Sequence, residues 1–92
     1  MYILTNKRNK VLYTGVTSNL KKRIWQHKTK FYEKSFSARY NVNKLVYYRL
    51  YATIREAIDE EKRIKAGNRK NKITLIESMN PEWKDLWNEI NE

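Results

Sequence analysis

Apolar positions along this chain come in short groups whose spacing changes from strand-like to helix-like and back. Residues 2–5 form a brief β-prone run, residues 11–17 alternate, and Asn6, Lys7, Arg8 and Asn9 between them have the chemistry of a turn. A hairpin is therefore predicted at the start of the chain. With a four-residue turn, Tyr2 falls opposite Tyr13 and both project from the same face, because facing residues of an antiparallel pair share a side. A one-residue change in loop length would separate them. Residues 45–51, which mix Leu45, Val46 and Leu50 with Tyr47, Tyr48 and Tyr51, give a third strand.

Helical spacing fills the rest. Thr17, Ser18 and Asn19 are alternative N-caps for a helix that runs to about residue 29 with Leu20 and Ile24 inward. Thr53 and Glu56 make a capping-box pair for a second helix, whose inward stripe reads Ile54, Ala57, Ile58, then position 61, then Ile64 or Lys65. Gly67 stops that helix, and Asn68 starts another carrying Ile73, Ile76 and Met79. Asn80-Pro81 has the form of a cap followed by proline at the first helical position, so a last helix is expected with Trp83, Leu86, Trp87 and Ile90 inward. Three strands against several helices is an α+β architecture. No repeat, low-complexity tract or flexible linker divides residues 1–92, so a single domain is expected.

Composition sharpens this picture. Twenty Lys and Arg against ten Asp and Glu give a formal charge of +10, and the isoelectric point lies near 9.9. The charge is uneven: residues 1–50 hold twelve basic residues against one acid, Glu33, whereas residues 51–92 hold eight against nine. A polyanion is the expected partner of the first half. The absence of cysteine excludes a disulfide framework and a thiolate metal site, and one histidine is too few for structural zinc, so any metal must be held by oxygen. Apolar runs are too short for a membrane span or a signal peptide, which makes the cytoplasm the expected compartment. Twelve aromatic residues distinguish the chain from a disordered basic tail.

Four features carry candidate chemistry: the pair Tyr2 and Tyr13, Arg23 with His27 one helical turn later, Glu61 on an apolar stripe, and Asn80. Each also has an ordinary use. Strand tyrosines pack, an Arg and His at i, i+4 can form a solvated face, Glu61 can pair with Lys62 or Lys65, and Asn80 can cap a helix. One oddity favours a ligand: Lys21, Lys22 and Arg23 occupy the first turn of their helix, where the dipole prefers carboxylates, and an external anion would relieve the conflict.

The spacing of these residues resembles a known family. Tyr2-Ile3-Leu4, then Leu12-Tyr13-Thr14-Gly15-Val16-Thr17, then Leu20-Lys21-Lys22-Arg23-Ile24-Trp25-Gln26-His27, is similar to the N-terminal half of the GIY-YIG nuclease superfamily. Glu60-Glu61-Lys62-Arg63-Ile64-Lys65 and Asn80-Pro81-Glu82-Trp83 resemble its small stand-alone bacterial members. The resemblance implies a three-stranded antiparallel sheet flanked by helices and metal-dependent hydrolysis of a phosphodiester. It assigns Tyr2 and Tyr13 to the motif tyrosines, Arg23 and His27 to the superfamily's arginine and histidine, and Glu61 to the metal-binding glutamate, with Asn80 a further candidate. Glu60 competes with Glu61, but Glu61 alone lies on the inward stripe. The chain departs from the pattern at Met1, which clips the first strand, at Thr14 in place of isoleucine, and at Gly67 in place of tryptophan.

Read this way, one glutamate holds a Mg²⁺ (or Mn²⁺) that keeps most of its waters. Arg23 offers a planar fork to a phosphate oxygen. Tyr2, Tyr13 or His27 accepts the proton of an attacking water. Lys21, Lys22, Lys28, Lys30, Lys34 and Arg39, interleaved with Phe31, Tyr32, Phe36 and Tyr40, track the backbone and stack unpaired bases. The expected activity is an endonuclease on DNA, structure-selective or weakly sequence-specific, of a kind suited to DNA repair. The competing expectation is a non-catalytic DNA- or RNA-binding module on the same fold. Membrane-surface binding is disfavoured because no long amphipathic helix with a strongly apolar face accompanies the basic segments.

Overall fold

A computed structural model describes residues 1–29 and 40–90. Strands β1 (Tyr2–Thr5), β2 (Leu12–Gly15) and β3 (Lys44–Tyr48) form one antiparallel sheet in the order β2-β1-β3. The described helices are α1 (Leu20–Lys28), α2 (Ile54–Ala66), α3 (Arg69–Met79) and the single turn α4 (Trp87–Ile90). The fold is the expected α+β arrangement. None of these helices is long and apolar enough to cross a membrane.

The central strand explains how the layers form. All four residues of β1 are buried, so alternate side chains must be covered on both faces of the sheet. On one face, Ile3 and the β3 residues Val46 and Tyr47 pack with Met1, Ile64 of α2 and Ile76 of α3. On the other, Tyr2, Leu4 and Leu45 pack with Ile24 of α1, Val42 and Leu86. Two small cores result, divided by the sheet. Ile3 pairs with Tyr47 while Leu4 pairs with Leu45, which leaves Val46 as an extra residue on β3. Such a bulge lets neighbouring residues turn to the same side, as Val46 and Tyr47 do here.

The hairpin register differs from the four-residue expectation. Tyr2 pairs with Gly15 and Leu4 with Tyr13, so the connection runs from Asn6 to Val11. Asn6 builds this longer loop, its Oδ1 accepting from the amides of Lys10 (2.8 Å) and Val11 (3.3 Å). Asn9 adopts a left-handed φ of 58°, which asparagine tolerates. The shift is two residues, an even number, so Tyr13 remains on the same face as Tyr2.

Helix caps agree with the sequence at three starts. Asn19, Thr53 and Asn68 accept hydrogen bonds from the amides of Lys22, Glu56 and Asn71 respectively. The expected stripes are only partly used: Ala57 and Ile64 are buried, but Ile54 is 47% exposed and Met79 39% exposed.

The final helix is not where the Asn80-Pro81 pair suggests. Asn80 ends α3, its amide donating to Ile76 O at 2.7 Å, and only residues 87–90 are helical beyond it. Its side chain is committed to backbone: Nδ2 donates to Val46 O (3.3 Å) and Lys84 O (2.7 Å), and Oδ1 accepts from the Lys84 amide (3.0 Å). Trp83, inside the loop so formed, takes a φ of 56°. Tertiary bonding to β3 outweighs the local preference for a new helix.

The clipped first strand holds firm. Met1 is buried against Ile3 and Ile64, its carbonyl accepts from the Arg49 amide at 2.9 Å, and its amine donates to Arg49 O at 3.1 Å. Tyr2 is thereby fixed at 1% exposure.

Candidate active site

Tyr2 and Tyr13 meet α1 on the face covered by that helix. Arg23 and His27, one turn apart, both face the hairpin because the inward side of α1 also carries Leu20 and Ile24. The Tyr2 hydroxyl lies 3.0 Å from His27 Nε2. The ring centroids are 6.3 Å apart for Tyr2 and Tyr13, 5.7 Å for Tyr2 and His27, and 5.5 Å for Tyr13 and His27. The Arg23 guanidinium lies within side-chain hydrogen-bonding reach of both tyrosine hydroxyls, and its Nη1 donates to Gln26 Oε1 at 3.2 Å.

Gly15 makes this packing possible. Tyr2 crosses the strand-pair position opposite Gly15, and a Cβ placed there would stand 2.5 Å from Tyr2 Cζ. Any larger residue would collide with the phenol.

Protonation follows from burial and charge. Burial pushes the Tyr2 phenol up to about 12, against the opposing pull of the Arg23 hydrogen bond. Burial first, and the Arg23 charge second, push the His27 imidazole down to about 4. At neutral pH the phenol is therefore protonated and the imidazole neutral. Arg23 can only donate, so the network is satisfied when Arg23 donates to the Tyr2 oxygen and the Tyr2 O–H donates to His27 Nε2.

Glu61 stands on α2, one turn from Ile64 and one turn from Ala57, the residues through which that helix is buried. Its side chain is 15% exposed and its Oε1 lies 3.3 Å from Lys65 Nζ, the ion pair that i, i+4 spacing allows. The carboxylate acts electrostatically on the Tyr2 phenol and on the Met1 amine. Glu60 is paired with Arg63 and is about as covered as Glu61, with 21% against 15% of the side chain exposed, but Glu61 is the acid whose charge acts on Tyr2 and Met1. Among the described residues no group of three or more His, Asp or Glu side chains is assembled that could hold a metal. A lone, partly buried carboxylate still suits a hard divalent ion that retains its waters.

The tyrosines, Arg23 and His27 thus form one cluster, and Glu61 approaches from the helix packed along β2. Asn80 does not join them in any contact; its amide is spent on β3 and Lys84. Lys28, expected to track phosphate, has its ammonium paired with Asp85 and donating to Asn43 O at 2.9 Å. Lys30, Lys34, Arg39, Phe31, Tyr32 and Phe36 lie outside the described residues. Sequence reasoning named Lys65 only as an ion-pair partner for Glu61 and missed Lys72 altogether: with Leu12, Tyr13 and Thr14 they line an open cleft of about 300 Å³. The packing of α2 along β2 and of α3 along β3 brings them there.

Residues 1–74 match the GIY-YIG catalytic domain. The chain belongs to the GIY-YIG family. Its relatives include a UPF0213 protein of Clostridium perfringens (strain 13 / Type A), 40% identical over 99% of this chain and 96% of the relative. A UPF0213 protein of Bacillus pumilus (strain SAFR-032) is 41% identical over 74% of this chain and 68% of its own length. One from Syntrophus aciditrophicus (strain SB) is 32% identical over 80% and 84%. No solved structure gives a significant match. For a GIY-YIG chain the three-stranded antiparallel sheet with flanking helices is the family's arrangement, and nuclease-type chemistry on nucleic acid is the family's activity.

Proposed function

We propose that this GIY-YIG protein is a metal-dependent endonuclease that hydrolyses phosphodiester bonds in DNA, structure-selective or weakly sequence-specific, with residues 1–92 acting as one cytoplasmic nuclease domain. The observation that carries the reading is the Arg23–Tyr2–His27 network with Tyr13 beside it, since a guanidinium, two phenols and an imidazole are set together next to the cleft that Tyr13 shares with Lys65 and Lys72.

The roles follow from exposure and protonation. Tyr2 is 1% exposed and its phenol is pushed up to about 12, so it serves as the fixed post that orients Arg23 and His27. His27, 5% exposed and pushed down to about 4, is a weak and covered base. Tyr13 lines the open cleft and is the phenol an attacking water can reach; in its phenolate form, its own proton already lost to solvent, Tyr13 would accept the proton of that water. Arg23 holds a non-bridging phosphate oxygen through its planar fork and offsets the charge that grows there. Lys65 and Lys72 add positive charge along the cleft beside Tyr13. Glu61 is the residue suited to hold Mg²⁺ or Mn²⁺, which when bound supplies charge neutralisation at the phosphate and the leaving oxygen.

A second reading, a non-catalytic DNA- or RNA-binding module, is favoured by one observation: Glu61 is paired with Lys65. Incubating the purified protein with branched, single-stranded and duplex DNA, with Mg²⁺ or Mn²⁺, separates the two. The endonuclease reading expects metal-dependent product on at least one substrate. Binding without product across the whole panel would favour the module.

A further inference from the structure

Helix α1 carries a second functional-looking surface on its far side. Trp25 lies two residues from both Arg23 and His27, about 200° around the helix from each, so it faces away from the tyrosine cluster. It is 49% exposed. With Asn19, Lys21, Lys22 and Trp87 it lines an open groove of about 320 Å³.

The far wall of that groove is held in place by specific bonds. Asp85 Oδ1 accepts from the amides of Leu45 (3.2 Å) and Trp87 (3.0 Å), and the Asp85 carboxylate pairs with the Lys28 ammonium. Leu86 N donates to Leu45 O at 2.7 Å, and Lys28 Nζ sits 5.8 Å from the Trp87 ring centroid. A four-residue helix with no long stripe of its own is thereby tied to both β3 and α1, and Trp87 is set in the same groove as Trp25. Two indoles with two ammonium groups beside them match one kind of ligand: a flat aromatic group with negative charge on either side. A duplex offers no free base face to an indole, whereas a single strand does.

We infer that this groove stacks an unpaired base of single-stranded DNA against Trp25 and Trp87, with Lys21 and Lys22 on the adjoining phosphates. Because α1 is about 10 Å thick, the stacked base lies a few nucleotides from the phosphate under Arg23, and the strand passes around the first turn of the helix. That turn contains no acid, so the positive end of the helix and its lysines face the strand together. The inference rests on the nuclease reading for the choice of DNA as ligand, but binding in this groove needs no metal and no cleavage.

The test uses the full chain in EDTA, with fluorescence anisotropy of labelled oligo(dT) and of a duplex of the same length. Trp25 is exposed, so Trp25→Ala should fold normally; Trp25→Phe keeps a smaller stacking plate. Trp25→Ala should weaken oligo(dT) binding about tenfold and Trp25→Phe less than about threefold, as expected for loss of one base–indole stack. Duplex binding should change less than about twofold. Oligo(dT) binding unchanged by Trp25→Ala, an equal loss on duplex, or a preference for single-stranded RNA with no DNA binding would each overturn the inference. Trp25-dependent binding without any cleavage by the wild type would sink the nuclease reading alone, and cleavage with Trp25-independent binding would sink the groove alone.

Discussion

Tyr2 is the residue on which the candidate site turns, because it meets the strand beside it, the helix above it, the Arg23 guanidinium and the His27 imidazole. Its ring occupies the place a side chain at position 15 would need. Gly15→Ala is expected to cost about 1–3 kcal/mol, the usual range for forcing atoms into a packed interior. In a Tyr2→Leu background the same change should cost less than about 1 kcal/mol. Chemical denaturation of the four proteins in this cycle measures the coupling, and a Gly15→Ala cost that ignores the residue at position 2 would contradict the packing described. His27 gives a pH test. Folded, it is pushed down to about 4; unfolded, it titrates near 6.5. Between those values the unfolded chain binds a proton that the folded chain refuses, so His27 causes stability to fall as pH drops from 6.5 toward 4. Thermal melts across that window should show the wild-type midpoint falling more steeply than that of His27→Gln. Parallel curves would mean the imidazole is freely protonated in the fold.

Among the elements, the C-terminal segment departs furthest from its sequence pattern. Asn80 followed by proline reads as the start of a helix, and the side chain instead closes residues 80–84 into a loop against β3. Nothing local distinguishes the two outcomes, since the decisive partner, Val46 O, is 34 residues away. Asn80→Ala should destabilise the protein by about 2–3 kcal/mol, because it leaves buried backbone groups without partners. Its cleavage rate per folded molecule and its metal dependence should stay those of the wild type; a shift in metal dependence would make Asn80 part of the site. The hairpin erred more gently. Asn6 and a left-handed Asn9 lengthened the loop by two residues, and the parity of a strand kept both tyrosines on one face. Caps at Asn19, Thr53 and Asn68 were legible because each is a bond between near neighbours. The inward position of Glu61 was legible from helical period, whereas its pairing with Lys65 was one of two local options.

At the scale of the whole molecule, the net charge of +10 is an average over unlike halves. The first half supplies α1 with its basic first turn, and the second half supplies the carboxylate that faces the sheet and the segment that ties Trp87 into place. The family match ends at residue 74, yet Asn80, Asp85 and Leu86 all bond to β3 or α1, so residues 75–90 complete the fold rather than trail from it. If three phosphates are contacted, raising salt fourfold should weaken DNA binding by roughly 20- to 40-fold, from the release of condensed counterions. Anisotropy titrations at two salt concentrations measure this slope, and a flat response would argue against a phosphate-tracking surface. The central claim is that Arg23 and Glu61 serve chemistry and not only structure. Its most direct test is the single-turnover cleavage rate of wild type, Arg23→Ala and Glu61→Gln on the best substrate in saturating Mg²⁺. The account predicts metal-dependent cleavage by the wild type and a loss of about 100-fold or more in each variant, with folding and DNA binding retained. Cleavage that persists at the wild-type rate in both variants would contradict it.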